Sequence, residues 1–201
     1  MKLPSVEECN ALFNRYHVPK NIFTHCKKVS ELAVSIAERL KKRGIGINVE
    51  LVRIGALMHD WMKAATLEAL DRPPFSYKPT QQEIAAWKEL RARFKGMHES
   101  EITHELLKDK YPELTAFLMH ERAIAHDLSI KRSWEEKIVH YADWRAYGDK
   151  VIPLNERMDD FFVRYRKKIT DLGRWERVKQ AERKAEKEIE DVLGIPIAEL
   201  T

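Results

Sequence analysis

Cysteine is scarce: Cys9 and Cys26 are the only two in 201 residues. Two thiols cannot build a disulfide framework or a four-thiolate zinc site, so they read as structural thiols of a protein in a reducing compartment. Long apolar runs are also missing. No stretch approaches the roughly 20 residues that span a bilayer, and the opening MKLPSVEECN carries acidic residues where a secretory signal is apolar. A cytoplasmic protein with no membrane partner is expected. There is no glycine-rich phosphate loop and no serine in a GxSxG setting, which removes P-loop and serine-hydrolase chemistry. Strand patterns longer than a few residues, internal repeats and low-complexity segments are absent too.

What is present is mixed charge, a series of helix signals and histidine. Lys and Arg number 36 against 32 Asp and Glu, a formal net charge of +4 spread along most of the chain. That balance suits an anionic substrate and does not mark a nucleic-acid partner. A hydrophobic content of 44% over residues 1–201 is enough for a single domain, its core expected at about 20–165. Ser5 with Glu8, Thr80 with Glu83 and Ser133 with Glu136 have capping-box spacing and place three helix starts, the first opening an N-terminal helix over 5–16. From His25 to about Leu40, the residues Val29, Leu32, Ala33, Ile36, Ala37 and Leu40 keep a 3.6-residue period, which turns His25 inward one turn before Val29. Gly44 and Gly46 stop that helix and Asn48 can cap the next. The run 49–62 is apolar on nearly all sides and reads as a central helix with His59 and Asp60 near its C-terminal end. Residues 71–79, with Pro73, Pro74 and Pro79, are expected to form a loop able to serve as a lid. A long charged helix is expected over 174–193, its seam of Trp175, Val178, Ala185, Ile189 and Val192 laid along its own domain or, alternatively, against a second copy in a homodimer or as a clamp over the site. The fold class is therefore all-α.

The histidines narrow the chemistry. His98-Glu99 and His120-Glu121 do not complete HExxH, because Ile102 and Ile124 stand where a second histidine is needed. Glu101 and His104 form one Glu-x-x-His, and di-iron bundles need two. That leaves His59, Asp60 and Lys63, three groups costly to bury, at the end of one of the most apolar segments of the chain.

His25 on one helix, His59-Asp60 on the next with Lys63 three residues after the aspartate, and Ala142-Asp143 on a later one resemble the HD-domain metal-dependent phosphohydrolases, over about residues 20–165. The resemblance implies a helical bundle in which His25, His59, Asp60 and Asp143 ligate a divalent ion and Lys63 holds a phosphate. It also implies a second ion in some subfamilies; here His98 and His126 are expected to supply its extra ligands, with His120 the rival for the second. Imidazole and carboxylate together suit Mn, Fe, Co, Ni or Zn, and Mg where carboxylates dominate. Asp127 or Glu99 is expected as a proton carrier or orienting acid, and Lys131, Arg132, Arg145 and Arg157 as cations for the substrate. Trp61 and Trp144, each one residue beyond a proposed ligand, are candidates for stacking a base. The implied reaction is hydrolysis of a phosphoester or phosphoanhydride in a small phosphorylated, nucleotide-like substrate. The competing reading is a non-catalytic HD module that binds a nucleotide or RNA.

Overall fold

A computed structural model describes residues 2–67 and 77–197. The helices are α1 (Val6–Arg15), α2 (Lys20–Lys42), α3 (Val49–Met58), α4 (Gln81–Arg93), α5 (Glu99–Leu107), α6 (Pro112–His126), α7 (Trp134–Arg145), α8 (Leu154–Tyr165) and α9 (Leu172–Leu193). A two-stranded antiparallel hairpin, β1 (Ala146–Tyr147) with β2 (Lys150–Val151), turns the chain from α7 into α8. The all-α expectation holds. No helix among the described residues is long and apolar enough to cross a membrane. The expected lid falls largely outside the described residues, which resume at Tyr77.

All three expected capping boxes form, the last with Glu136 N donating to Ser133 Oγ at 3.2 Å and Ser133 N donating to Glu136 Oε2 at 2.7 Å. Asn48 Oδ1 accepts from Leu51 N at 3.0 Å and starts α3. Each cap removes an orphan amide that would otherwise cost about 1 kcal/mol of helix stability.

At the centre lies α3, with α1, α2, α6 and α7 packed on it. Its residues Val52, Ile54, Ala56 and Met58 are fully buried and meet Val29, Ala33 and Ile36 of α2 in one continuous core, where each large aliphatic side chain contributes roughly 1.5–3 kcal/mol. Gly55 lets α6 come close, since a Cβ there would sit 2.5 Å from Phe117 Cε1. One expectation needs correction: α3 stops at Met58, four residues short of the expected end. His59 Nδ1 donates to Ala56 O at 2.7 Å and Lys63 N to Asp60 O at 2.9 Å. The chain thus leaves the helix through a tight turn and a short 3-10 segment, Lys63–Ala65. At the other end of the chain, α9 lies against α7 and α2, and Gly194, in the left-handed region at φ 73°, closes it.

Candidate metal centre

The histidine that opens the inward face of α2, the histidine that ends α3 and the aspartate in the last turn of α7 meet at one point. His25 Nε2 lies 2.9 Å from Asp143 Oδ1, and His59 Nε2 lies 3.6 Å from the same oxygen. The two imidazole rings meet edge to face with centroids 5.3 Å apart. One ligating atom from each of His25, His59 and Asp143 falls within 4.8 Å of the others, and this is the one such trio among the described residues. Asp60 is beside it, its Oδ2 3.9 Å from His59 Nε2.

His59 provides a direct test of whether an ion fits. Its bond to Ala56 O places a proton on Nδ1, so Nε2 is the nitrogen left to take up a second proton or an ion. That nitrogen is buried and has no hydrogen-bond partner, although two carboxylates flank it. A buried nitrogen left without a partner is costly, and an imidazole lone pair beside carboxylate oxygens is what a divalent transition ion coordinates. The donor set fits. Burial works against a charged His59, yet its acidic surroundings raise its affinity for a proton well above the ordinary imidazole range. Asp60 and Asp143 are the groups responsible, because burial pushes the neighbouring Cys26 thiol up and keeps it neutral. Burial also opposes charge on Asp143, but its hydrogen bond to His25 and the charges of His59 and His25 hold it well below the usual carboxylate range. The cluster therefore attracts positive charge, and an entering cation competes with the proton on His59.

A second chain of contacts runs outward from Asp60. Lys63 Nζ donates to Asp60 Oδ1 at 3.3 Å and to Glu99 Oε1 at 2.7 Å, and Thr66 Oγ1 donates to Glu99 Oε2 at 3.1 Å. Burial opposes its charge, but these two carboxylates keep Lys63 firmly protonated. Glu99 is buried, with 6% of its surface exposed, so it is no free acid. It acts as the counter-ion that fixes the lysine. His98 stands at the edge, its Nε2 3.4 Å from Glu99 Oε1.

Other expected site residues have engagements of their own. His98 caps α5: its Nδ1 accepts from Ser100 N at 3.3 Å, and its own backbone N donates to Glu101 Oε2 at 2.7 Å. His120 pairs through Nδ1 with Glu136 of α7. His126 is exposed at the end of α6, and Asp127 beside it accepts from Ser129 N and Oγ at 2.9 and 2.7 Å as a local turn. Neither belongs to the trio of His25, His59 and Asp143. Arg132 is held by the buried Glu182 of α9 at 3.0 Å. Arg145, only two residues after Asp143, points some 200° away around the helix and is buried, with Nε donating to Ile152 O at 2.6 Å. Arg157 donates to Ala146 O at 3.1 Å and pairs with Asp160 at 3.1 Å. Trp61 is wholly buried and bonded through Nε1 to Thr103 Oγ1 at 2.7 Å, so it packs the core, and Trp144 sits among Phe161 and Trp175. Thr66 and Cys26 were not foreseen; only their places three residues after Lys63 and one after His25 hinted at them.

The HD domain family model matches residues 22–148, which span every residue of this cluster. The chain belongs to the HD domain family. The chain is also 28% identical over 165 residues to an uncharacterized protein of Methanocaldococcus jannaschii, an alignment covering 77% of this chain and 83% of that one. No solved structure matches. Together with the cluster, HD-domain membership implies a divalent-metal site and hydrolytic chemistry.

Proposed function

We propose that this HD domain is a metal-dependent phosphohydrolase that cleaves a phosphoester or phosphoanhydride in a small nucleotide-like substrate. The observation that carries this reading is the buried, partnerless Nε2 of His59 facing Asp143 and Asp60, with a fixed ammonium group one contact further out. His25, His59 and Asp143 would hold the ion, with Asp60 alongside. A divalent ion there supplies Lewis acidity: it makes water a nucleophile near neutral pH and offsets charge on phosphoryl oxygens.

The chain's own residues supply the rest. Lys63 has three ammonium protons; Asp60 and Glu99 take two, which leaves one for a phosphoryl oxygen. Because both carboxylates hold Lys63 from behind, it meets the substrate already oriented, and little reorganisation is needed as charge builds. His98 is half exposed at the edge of this network, and partial burial lowers its proton affinity. It is neutral near pH 7 and suited to carry a proton to or from the leaving group. Asp127, exposed and tied to Ser129, has no part in this scheme. The arrangement supports one ion, held by the trio.

The test is elemental analysis of the untagged protein followed by a screen of nucleoside mono-, di- and triphosphates with the metal found. One ion per chain and release of phosphate are expected. Lys63→Ala should retain the ion while turnover falls roughly 10²-fold; an unchanged rate returns Lys63 to structure. Metal binding without turnover of any phosphate ester overturns the catalytic reading in favour of a binding module.

A further inference from the structure

The segment Leu128-Ser129-Ile130-Lys131-Arg132, between α6 and α7, supplied two of the cations expected at the catalytic site, and the fold places them elsewhere. They line a cleft of about 420 Å³ with Lys137 of α7 and with Ala181, Lys184, Ala185 and Glu188 of α9. Those α9 residues follow i, i+3, i+4, i+7 spacing and share one face of the helix. The two alanines leave room where larger residues would close the seam. The cleft shares no lining residue with the metal cluster. Lys137 lies about 9 Å along the α7 axis from Asp143 at 1.5 Å per residue, and Arg132 precedes the helix altogether.

Four cations line this cleft against one carboxylate, Glu188. That acid is already engaged by Lys137 and has Lys184 at 3.9 Å. Arg132 is fixed in place: Glu182, itself fully buried, accepts from one Nη at 3.0 Å, and a guanidinium has further N–H donors that suit planar oxyanions. Lys131 is exposed. The excess of positive charge is spread along the cleft, so the matching ligand carries several linked negative charges.

We infer that this cleft is a second anion site, separate from the metal centre, that takes a chain of two or three phosphates, free or as part of a nucleoside polyphosphate. A ligand seated there bridges the 128–132 segment and α9. Its binding should therefore raise the melting temperature as well as produce heat. This inference is independent of the catalytic reading.

Titration calorimetry of the full chain with inorganic tripolyphosphate, in chelator so that the metal centre stays empty, tests it. One site per chain is expected, unchanged in Asp143→Ala and weakened about tenfold or more in the double variant Lys131→Gln/Lys184→Gln. Both lysines are exposed, so folding should survive, and circular dichroism checks it. The absence of binding, binding that persists in the double variant, or binding lost in Asp143→Ala would each overturn the inference. Parallel titration with ATP separates the two sources of phosphate. Equal affinity assigns the cleft to the phosphate chain alone. Tighter binding with quenched tryptophan fluorescence assigns it to a nucleotide whose base reaches the adjoining pocket lined by Trp144 and Trp175, which shares Leu128 with the cleft.

Discussion

Two clusters of buried charge flank α7, and they resolve the same difficulty differently. At its C-terminal end, His25, His59 and Asp143 converge and leave a buried nitrogen with no partner. Nearer its N-terminal end, Glu182 of α9 accepts from Arg132 at 3.0 Å and meets His140 Nδ1 at 3.1 Å, so the carboxylate is satisfied by the chain itself. Glu121, close by, has one buried oxygen without a partner, and burial pushes its pKa up to about 7. It lessens the cost by keeping its proton. Burial of polar groups is therefore no sign of function on its own. The functional sign is a cluster whose missing partner a proton does not fully replace and whose donor types suit a cation.

The sharpest way to break this contrast is Asp143→Ala. It should abolish metal binding and lower turnover by roughly 10²–10³-fold or more with little change in far-UV circular dichroism; a variant that keeps its ion moves the centre elsewhere. Next in size, Glu182→Ala leaves Arg132 and His140 without their counter-ion and should cost about 3–5 kcal/mol in urea unfolding, while metal content stays at the wild-type level. A loss of metal in that variant would merge the two clusters into one functional unit.

Glu121→Gln sharpens the comparison through pH. The folded state holds this proton more tightly than the unfolded chain, so the unfolding free energy falls as pH rises from about 4 to about 7 and is level above. The amide carries no charge and escapes that penalty, so the variant should be more stable than wild type by about 1–3 kcal/mol at pH 8 and gain little at pH 5. Equal stability of both proteins at both pH values would show that Glu121 is solvated. The smallest effect belongs to His126→Ala, which should change neither metal content nor turnover; loss of an ion would establish a second metal site that draws in the end of α6.

Much of this fold is legible in the sequence because its signals are local. Ser5, Thr80 and Ser133 start helices through bonds to residues three positions on, and the period from Val29 to Leu40 turns His25 inward without reference to any other segment. The end of α3 was less legible, since the apolar run continues through Trp61 and Met62, both buried, after the helix has stopped. Hydropathy reports burial, and a turn can be buried as well as a helix. The charged groups were the least legible. Glu182 sits in a stretch that reads as solvated, AERKAEKE, yet none of its surface is exposed. Its partners Arg132 and His140 come from 50 and 42 residues away. His98 illustrates the same limit, since one imidazole can cap a helix or bind a metal, and its place beside Ser100 and Glu101 gave it the first role.

The sequence by itself determined where the helices begin and which faces turn inward, because capping and periodicity act over three or four residues, and the order of His25, His59-Asp60 and Asp143 carried the resemblance to the HD domains. Only the tertiary structure decided which polar groups meet. His25 and Asp143 are 118 residues apart along the chain, and whether such groups form a metal centre, a neutralised pair or an open anion cleft depends on which helices pack together, since unsatisfied charge has consequences only where its neighbours exclude water.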